Sequence, residues 1–389
     1  MVLNPHYKEF KKPYIFPIIE KKLREVQKEH PNQKIFNLGV GDICLPLAPL
    51  VGRAIQHAID DMTTEVHGYG PAEGYSFLRE AICVNEYASY GISPTEIFIS
   101  DGASSDAAFI QELFDISCTV GVIDPTYPVY QDSAILSGKK VIVIPSYATD
   151  HFLPPPPSKK IDLVYLCTPN NPTGTAFNTF QLQEWVLWAK RNHTVLIIDN
   201  VYNAFITSDE IPPSIYAIEG AREVAIEIRS FSKWAGFTGL RCASMVIPHS
   251  LHYGELNSFW KQRINIKFNG VAYPIQKGAQ ACYQPEVRKQ LSQQIKVYQS
   301  SAKILSTTLR EHDQIFFGGE NAPYIWWKIP PRMTSWEFFD SLLKTSRILA
   351  IPGSGFGKCG EGYIRLSCFL NPQFAQEAAH ALHNYFSTS

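Results

Sequence analysis

Short apolar runs recur through the first two thirds of the chain, and apolar residues return at helical spacing between them. The runs are Glu96–Ser100, Thr119–Asp124, Lys140–Pro145, Leu163–Thr168, Thr194–Asp199, Glu223–Ile228 and Cys242–Ile247. Several are apolar at nearly every position instead of every second one, as expected for strands covered on both faces. Phe180–Arg191 (FQLQEWVLWAKR) is one helical stretch between two such runs. Strand and helix in alternation predict a doubly wound α/β domain.

The pattern changes toward the C-terminus. A long helical pattern covers Pro274–Glu311. A strand (Tyr324–Ile329), a helix (Ser335–Thr345), a strand pair around Ile348–Ile351 and Tyr363–Ser367, and a helix near Phe374–Tyr385 follow. This predicts a smaller α+β domain over 273–389, completed by an N-terminal segment over 1–45, with the large domain at 46–272. Pro154–Pro157 reads as a surface connector.

Length and composition narrow the chemistry. A chain of 389 residues is long enough for two domains, and 45% hydrophobic with 18% charged residues suits a globular protein. Lys plus Arg total 35 against 36 Asp plus Glu, so no polybasic surface points to nucleic acid or anionic lipid. No apolar run reaches the ~18 residues of a membrane span, and the N-terminus MVLNPHYKEFKKPYIF lacks a secretory apolar core. The eight cysteines form no C-x-x-C pair, which predicts buried, reduced thiols in a cytoplasmic protein.

The candidate chemistry centres on Ser230-Phe231-Ser232-Lys233, with Arg241 eight residues beyond Lys233. A lysine directly after a buried strand is costly as an ammonium, and a Schiff base needs an amine of depressed pKa. The hydroxyls of Ser230 and Ser232 and the fork of Arg241 suit a phosphate. A surface lysine beside a turn reads equally well from this motif alone.

Three upstream features add to it. Thr168-Pro169-Asn170-Asn171-Pro172-Thr173-Gly174 puts an amide at a strand's carboxyl end, where open α/β sheets bind ligands, though NNPTG is also a good turn. Asp199 ends a buried strand with Tyr202 three residues on. A carboxylate so placed can keep a pyridine nitrogen protonated, or simply cap the next segment. Asp101-Gly102-Ala103-Ser104-Ser105-Asp106 joins a strand to a helix whose free N–H groups can receive a phosphate or merely start the helix.

The series SDGA, NNPTG, D-x-x-Y and SFSK-x₇-R resembles the fold-type I, class I/II aminotransferases over essentially the whole chain. GVGD, GYGPAEGYSFLREAI, DPTYPVY, SFSKWAGFTGLR, KFNG, GGENAPYIWW and PGSGFGKCGEGYIRLS resemble the LL-diaminopimelate aminotransferases more closely. The resemblance implies pyridoxal 5'-phosphate (PLP) as cofactor and a large domain on a mainly parallel seven-stranded sheet with a smaller α+β domain. It implies a homodimer with shared active sites, and amino-acid and keto-acid substrates.

By the resemblance, Lys233 would be the Schiff-base lysine and proton shuttle, Asp199 the partner of the pyridine nitrogen, and Asn171 with Tyr202 the partners of the phenolic oxygen. Tyr127, otherwise a core aromatic, would stack on the ring. Ala103, Ser104, Ser230, Ser232 and Arg241 would hold the phosphate, helped by Tyr69 from the other subunit. Arg365 would bind the substrate α-carboxylate, and Tyr14, Gly41, Asn171 and Asn269 would line the substrate site, Asn269 from the second subunit. The reaction implied is glutamate plus tetrahydrodipicolinate giving LL-diaminopimelate and 2-oxoglutarate, in lysine and peptidoglycan synthesis.

The chain departs from that subfamily at four places: Ser104 for a common Lys, Ala72 for a Glu, Ile43-Cys44-Leu45 for hydroxyl residues, and Cys242-Ala243 for Leu-Gly. The first three lie near where the family reads its substrate, so an aminotransferase acting on another amino acid stays open. So do another reaction on the same scaffold and a PLP-free binding protein.

Overall fold

The structure, a computed structural model, describes residues 3–9 and 15–388. The candidate Tyr14 lies outside the described residues. A short strand β1 (Phe36–Asn37) precedes seven strands of one sheet: β2 (Ile97–Ser100), β3 (Thr119–Asp124), β4 (Lys140–Pro145), β5 (Leu163–Cys167), β6 (Val195–Asp199), β7 (Ala225–Ser230) and β8 (Ala243–Val246). Their spatial order is β2-β8-β7-β6-β5-β3-β4. β8 runs antiparallel to both its neighbours, β2 and β7, and the other pairs are parallel.

Uniformly apolar strands fill both faces of this sheet. Ile99, Leu166 and Ile198 pack on one side against Leu182, Trp185 and Val186. Tyr165, Ile197 and Ile228 pack on the other, with Tyr130 and Trp260. The helix Thr179–Asn192 carrying the first set starts at Asn178, whose side chain accepts from Gln181 N at 2.9 Å. Of the connector Pro154–Pro157, Pro155 is exposed but Pro154 is buried, and its carbonyl accepts from the buried Trp185 Nε1 at 3.2 Å.

The C-terminal sheet contains β9 (Phe316–Gly318), β10 (Tyr324–Lys328), β12 (Ile351–Pro352) and β13 (Tyr363–Ser367), in the order β12-β13-β10-β9, while β11 (Ile348–Leu349) pairs in parallel with β1. The apolar stretch 348–351 is therefore two strands in two sheets, not one. The single helix expected over Pro274–Glu311 is two, Tyr273–Ala281 and Pro285–Glu311. Pro285 has no N–H for the preceding turn and suits the first position of a new helix.

The sheet order reverses between β3 and β5. The segments that follow these strands splay apart there and open a crevice at the strands' carboxyl ends. Three hydrogen bonds tie the segment between β12 and β13 to that crevice. Asp124, ending β3, accepts from Lys358 N at 2.9 Å and Cys359 N at 3.1 Å, and Thr126 N donates to Phe356 O at 3.0 Å.

Candidate active site

A cavity of about 330 Å³ lies in this crevice. Its lining brings together Gly41, Ala103, Ser104, Tyr127, Asn171, Asp199, Tyr202, Ser230, Ser232, Lys233, Arg241 and Arg365, although they span more than 320 residues of chain. Tyr69 is 92% exposed and Asn269 is exposed too, and neither lines the cavity of its own chain.

Lys233 sits in the short helix Phe231–Trp234 directly after β7, where Ser230 Oγ accepts from Ser232 N at 3.1 Å. Its Nζ donates to Gly41 O at 2.5 Å. Burial lowers its pKa to about 8; Asp42 opposes this, and Arg365 and Arg241 add to it. A neutral amine is therefore accessible near neutral pH.

Asp199, at the end of β6, is 5% exposed. Its Oδ2 accepts from Tyr130 Oη at 2.5 Å, and its Oδ1 has no hydrogen-bond partner among the described residues. Burial raises its pKa to about 6, against the pull of the Tyr130 hydrogen bond. An unpartnered buried carboxylate oxygen is a costly arrangement unless a ligand donor meets it.

Opposite, Arg365 in β13 is 2% exposed and donates from Nη1 to Asn171 Oδ1 at 2.7 Å and from Nη2 to Gly39 O at 2.6 Å. Its Nε has no partner among the described residues. Desolvation lowers its pKa from the ordinary arginine value. Tyr202 Oη lies 2.8 Å from Tyr324 Oη, and the Arg365 guanidinium stacks 4.6 Å from the Tyr324 ring centroid.

Ala103, Ser232 and Arg241 adjoin these groups in the same cavity. The helix Ala103–Phe109 opens at Gly102, whose φ is 147°, and a Cβ there would stand 2.0 Å from Arg241 Nη2. Glycine lets the guanidinium close on the helix N-terminus, a favourable place for an anion. Arg241 also donates to Ser232 Oγ at 3.4 Å. Acceptor, amine and anion cradle occupy one cavity, so the residues present fit PLP.

A family model for class I and II aminotransferases matches residues 33–382. The chain belongs to the class I and II aminotransferases. It is a PLP-dependent enzyme within the LL-diaminopimelate aminotransferase branch. The chain is 44% identical to the LL-diaminopimelate aminotransferase of Agathobacter rectalis, over 95% of this chain and 96% of that one. It is 42% identical to that of Parabacteroides distasonis over 99% of both. The solved L,L-diaminopimelate aminotransferase of Chlamydomonas reinhardtii superposes with a TM-score of 0.94 at 36% identity, covering 99% of each chain.

Among the described residues, sequence reasoning missed seven lining residues of this aminotransferase, two of them tyrosines that contact predicted site residues. Tyr130 follows Tyr127 at i+3 in TYPVY, and Tyr324 stands in NAPYIW. Of the four departures, only Ser104 lines the cavity, with Oγ 3.4 Å from Tyr127 Oη. Ala72 packs against the core, and Cys242 is fully buried. Buried thiols were expected throughout, yet Cys44 is exposed and Cys83, Cys118 and Cys359 are only partly covered; all eight cysteines are unpaired. Among the described residues, no helix is long and apolar enough to cross a membrane.

Proposed function

We propose that this enzyme transfers the amino group of glutamate to tetrahydrodipicolinate, giving LL-diaminopimelate and 2-oxoglutarate, for lysine and peptidoglycan synthesis. The observation that carries the transaminase chemistry is the buried, unpartnered Asp199 Oδ1 in one cavity with Lys233 Nζ and Arg365. The printed names of the relatives support the substrate pair.

Bound PLP supplies an aldehyde that condenses with amines and a ring that accepts electrons. Asp199 would hold the ring nitrogen, Asn171 and Tyr202 the phenolic oxygen, and Tyr127 the ring face. Ala103, Ser104, Ser230, Ser232 and Arg241 would take the phosphate. Arg365 binds the substrate α-carboxylate through its fork, exchanging the Gly39 carbonyl for the incoming oxygens. That contact orients the substrate Cα–H toward Lys233, which removes the proton as a base. A step of this type contributes about 10²- to 10⁴-fold.

The exposed Tyr69 and Asn269 support two subunits that complete each other's sites, and the unpaired thiols support a reducing, cytoplasmic setting. Ser104 in the cavity favours a second reading, an aminotransferase of this branch acting on another amino acid. Purified enzyme should form glutamate from LL-diaminopimelate and 2-oxoglutarate, followed by chromatography across a panel of amino donors. No turnover of LL-diaminopimelate alongside rapid turnover of another donor would replace the first reading with the second.

A further inference from the structure

We propose that Tyr130 is a positioning residue for the cofactor's ring nitrogen: its hydroxyl engages Asp199 Oδ2 and so reserves Oδ1 for that nitrogen. The inference rests on the assignment of Asp199 to the ring nitrogen and goes beyond it, because Tyr130 acts only through Asp199.

Tyr130 lies in the helix Val129–Leu136 and is fully buried. Its ring stacks on Tyr165 with centroids 4.8 Å apart and planes 12° from parallel. Tyr127 meets it edge-on at 5.9 Å. With Tyr165 stacked on it and Tyr127 edge-on to it, the ring cannot swing its hydroxyl to the other carboxylate oxygen without disturbing aromatic neighbours. The 2.5 Å bond therefore fixes which oxygen is committed and which is free.

The bond also favours the carboxylate's charge. Burial alone drives Asp199 toward its protonated form, and a hydrogen bond to the anion opposes that. The other titratable groups around it supply no such help. Cys167, its register partner on β5, Tyr165 beneath Tyr130 and Asp106 in the helix Ala103–Phe109 are buried acids whose ionisation an Asp199 anion disfavours. Lys233 faces the same cavity but donates to Gly41 O. Burial and the neighbouring Asp199 charge hold the Tyr130 phenol well above its ordinary pKa, so it stays a donor throughout the working range.

Tyr130→Phe keeps the ring packing and removes only the hydroxyl. Two readouts are taken in wild type, Tyr130→Phe, Asp199→Asn and the double variant. They are the dissociation constant of PLP from reconstituted enzyme, and the ¹⁵N resonance of PLP labelled at the ring nitrogen. Tyr130→Phe should weaken PLP about 10-fold or more, as expected for a hydrogen bond to a charged group, and should move the resonance toward unprotonated pyridine. In the Asp199→Asn background the same change should alter affinity less than about twofold, because coupled residues are not additive. Equal losses in both backgrounds would make Tyr130 a packing residue, and unchanged affinity and resonance in Tyr130→Phe would remove its role. Failure of wild type to bind PLP at all would instead overturn the assignment of Asp199, and the inference with it.

Discussion

Arg365 Nη1 donates to Asn171 Oδ1 at 2.7 Å, joining a strand of the C-terminal sheet to the loop after β5. The bond links the cation proposed to read the substrate carboxylate with the amide proposed to hold the cofactor's phenolic oxygen.

Arg365→Lys keeps the charge but loses the planar fork. It should lower kcat/KM for α-amino acids by about 10- to 100-fold, the worth of one charge-assisted hydrogen bond. PLP affinity should change much less. Steady-state kinetics beside a PLP titration separates the two effects.

Tyr324→Phe removes the partner 2.8 Å from Tyr202 Oη while leaving the ring under Arg365. The loss of a neutral hydrogen bond is worth about 1 kcal/mol, so kcat should fall roughly fivefold with KM little changed. A shift of the bound cofactor's visible absorption maximum should accompany it, since Tyr202 is proposed to touch the phenolic oxygen.

The cofactor-free site weakens the fold between its two perturbed groups. Asp199 is raised from 3.8 to about 6, so the cost of its buried charge develops as pH rises through that window and is full above it. Lys233 is lowered from 10.5 to about 8, so its cost is full below about pH 8 and fades as pH rises toward 10.5. Lys233→Met should therefore stabilise the cofactor-free protein at pH 7, by on the order of 1–2 kcal/mol after allowing for water in the cleft. Melting curves should show the gain shrinking between pH 8 and 10.5.

Gly357 has a φ of 137°, and a Cβ there would stand 1.9 Å from Asp124 Oδ1. Gly357→Ala should destabilise by about 2–4 kcal/mol through strain and the displaced carboxylate, lowering the melting temperature. Asp124→Asn keeps only one of the two acceptors, because Lys358 N and Cys359 N bond different carboxylate oxygens, and it should cost about 1–3 kcal/mol.

Much of this was legible because parallel strands covered on both faces are written as unbroken apolar runs. The seven runs fall within two residues of the observed strands. Asp199, Ser230 and the Asn171 loop stand at strand ends, where a cavity of this topology must lie. What stayed hidden depends on distant partners. Tyr130 matters because of Asp199, 69 residues away, and Tyr324 because of Tyr202, 122 residues away. The apolar stretch 348–351 gave no sign that Leu349 and Ile351 belong to different sheets, since β1 and β13 decide that.

The proposed function requires Lys233 to carry the cofactor. Borohydride reduction of the holoenzyme followed by peptide mass analysis locates the linked lysine. One phosphopyridoxyl adduct is expected, on Lys233, with Lys233→Ala losing both the adduct and the visible absorbance. An adduct on another lysine, or none on an active enzyme, would rule out this role for Lys233.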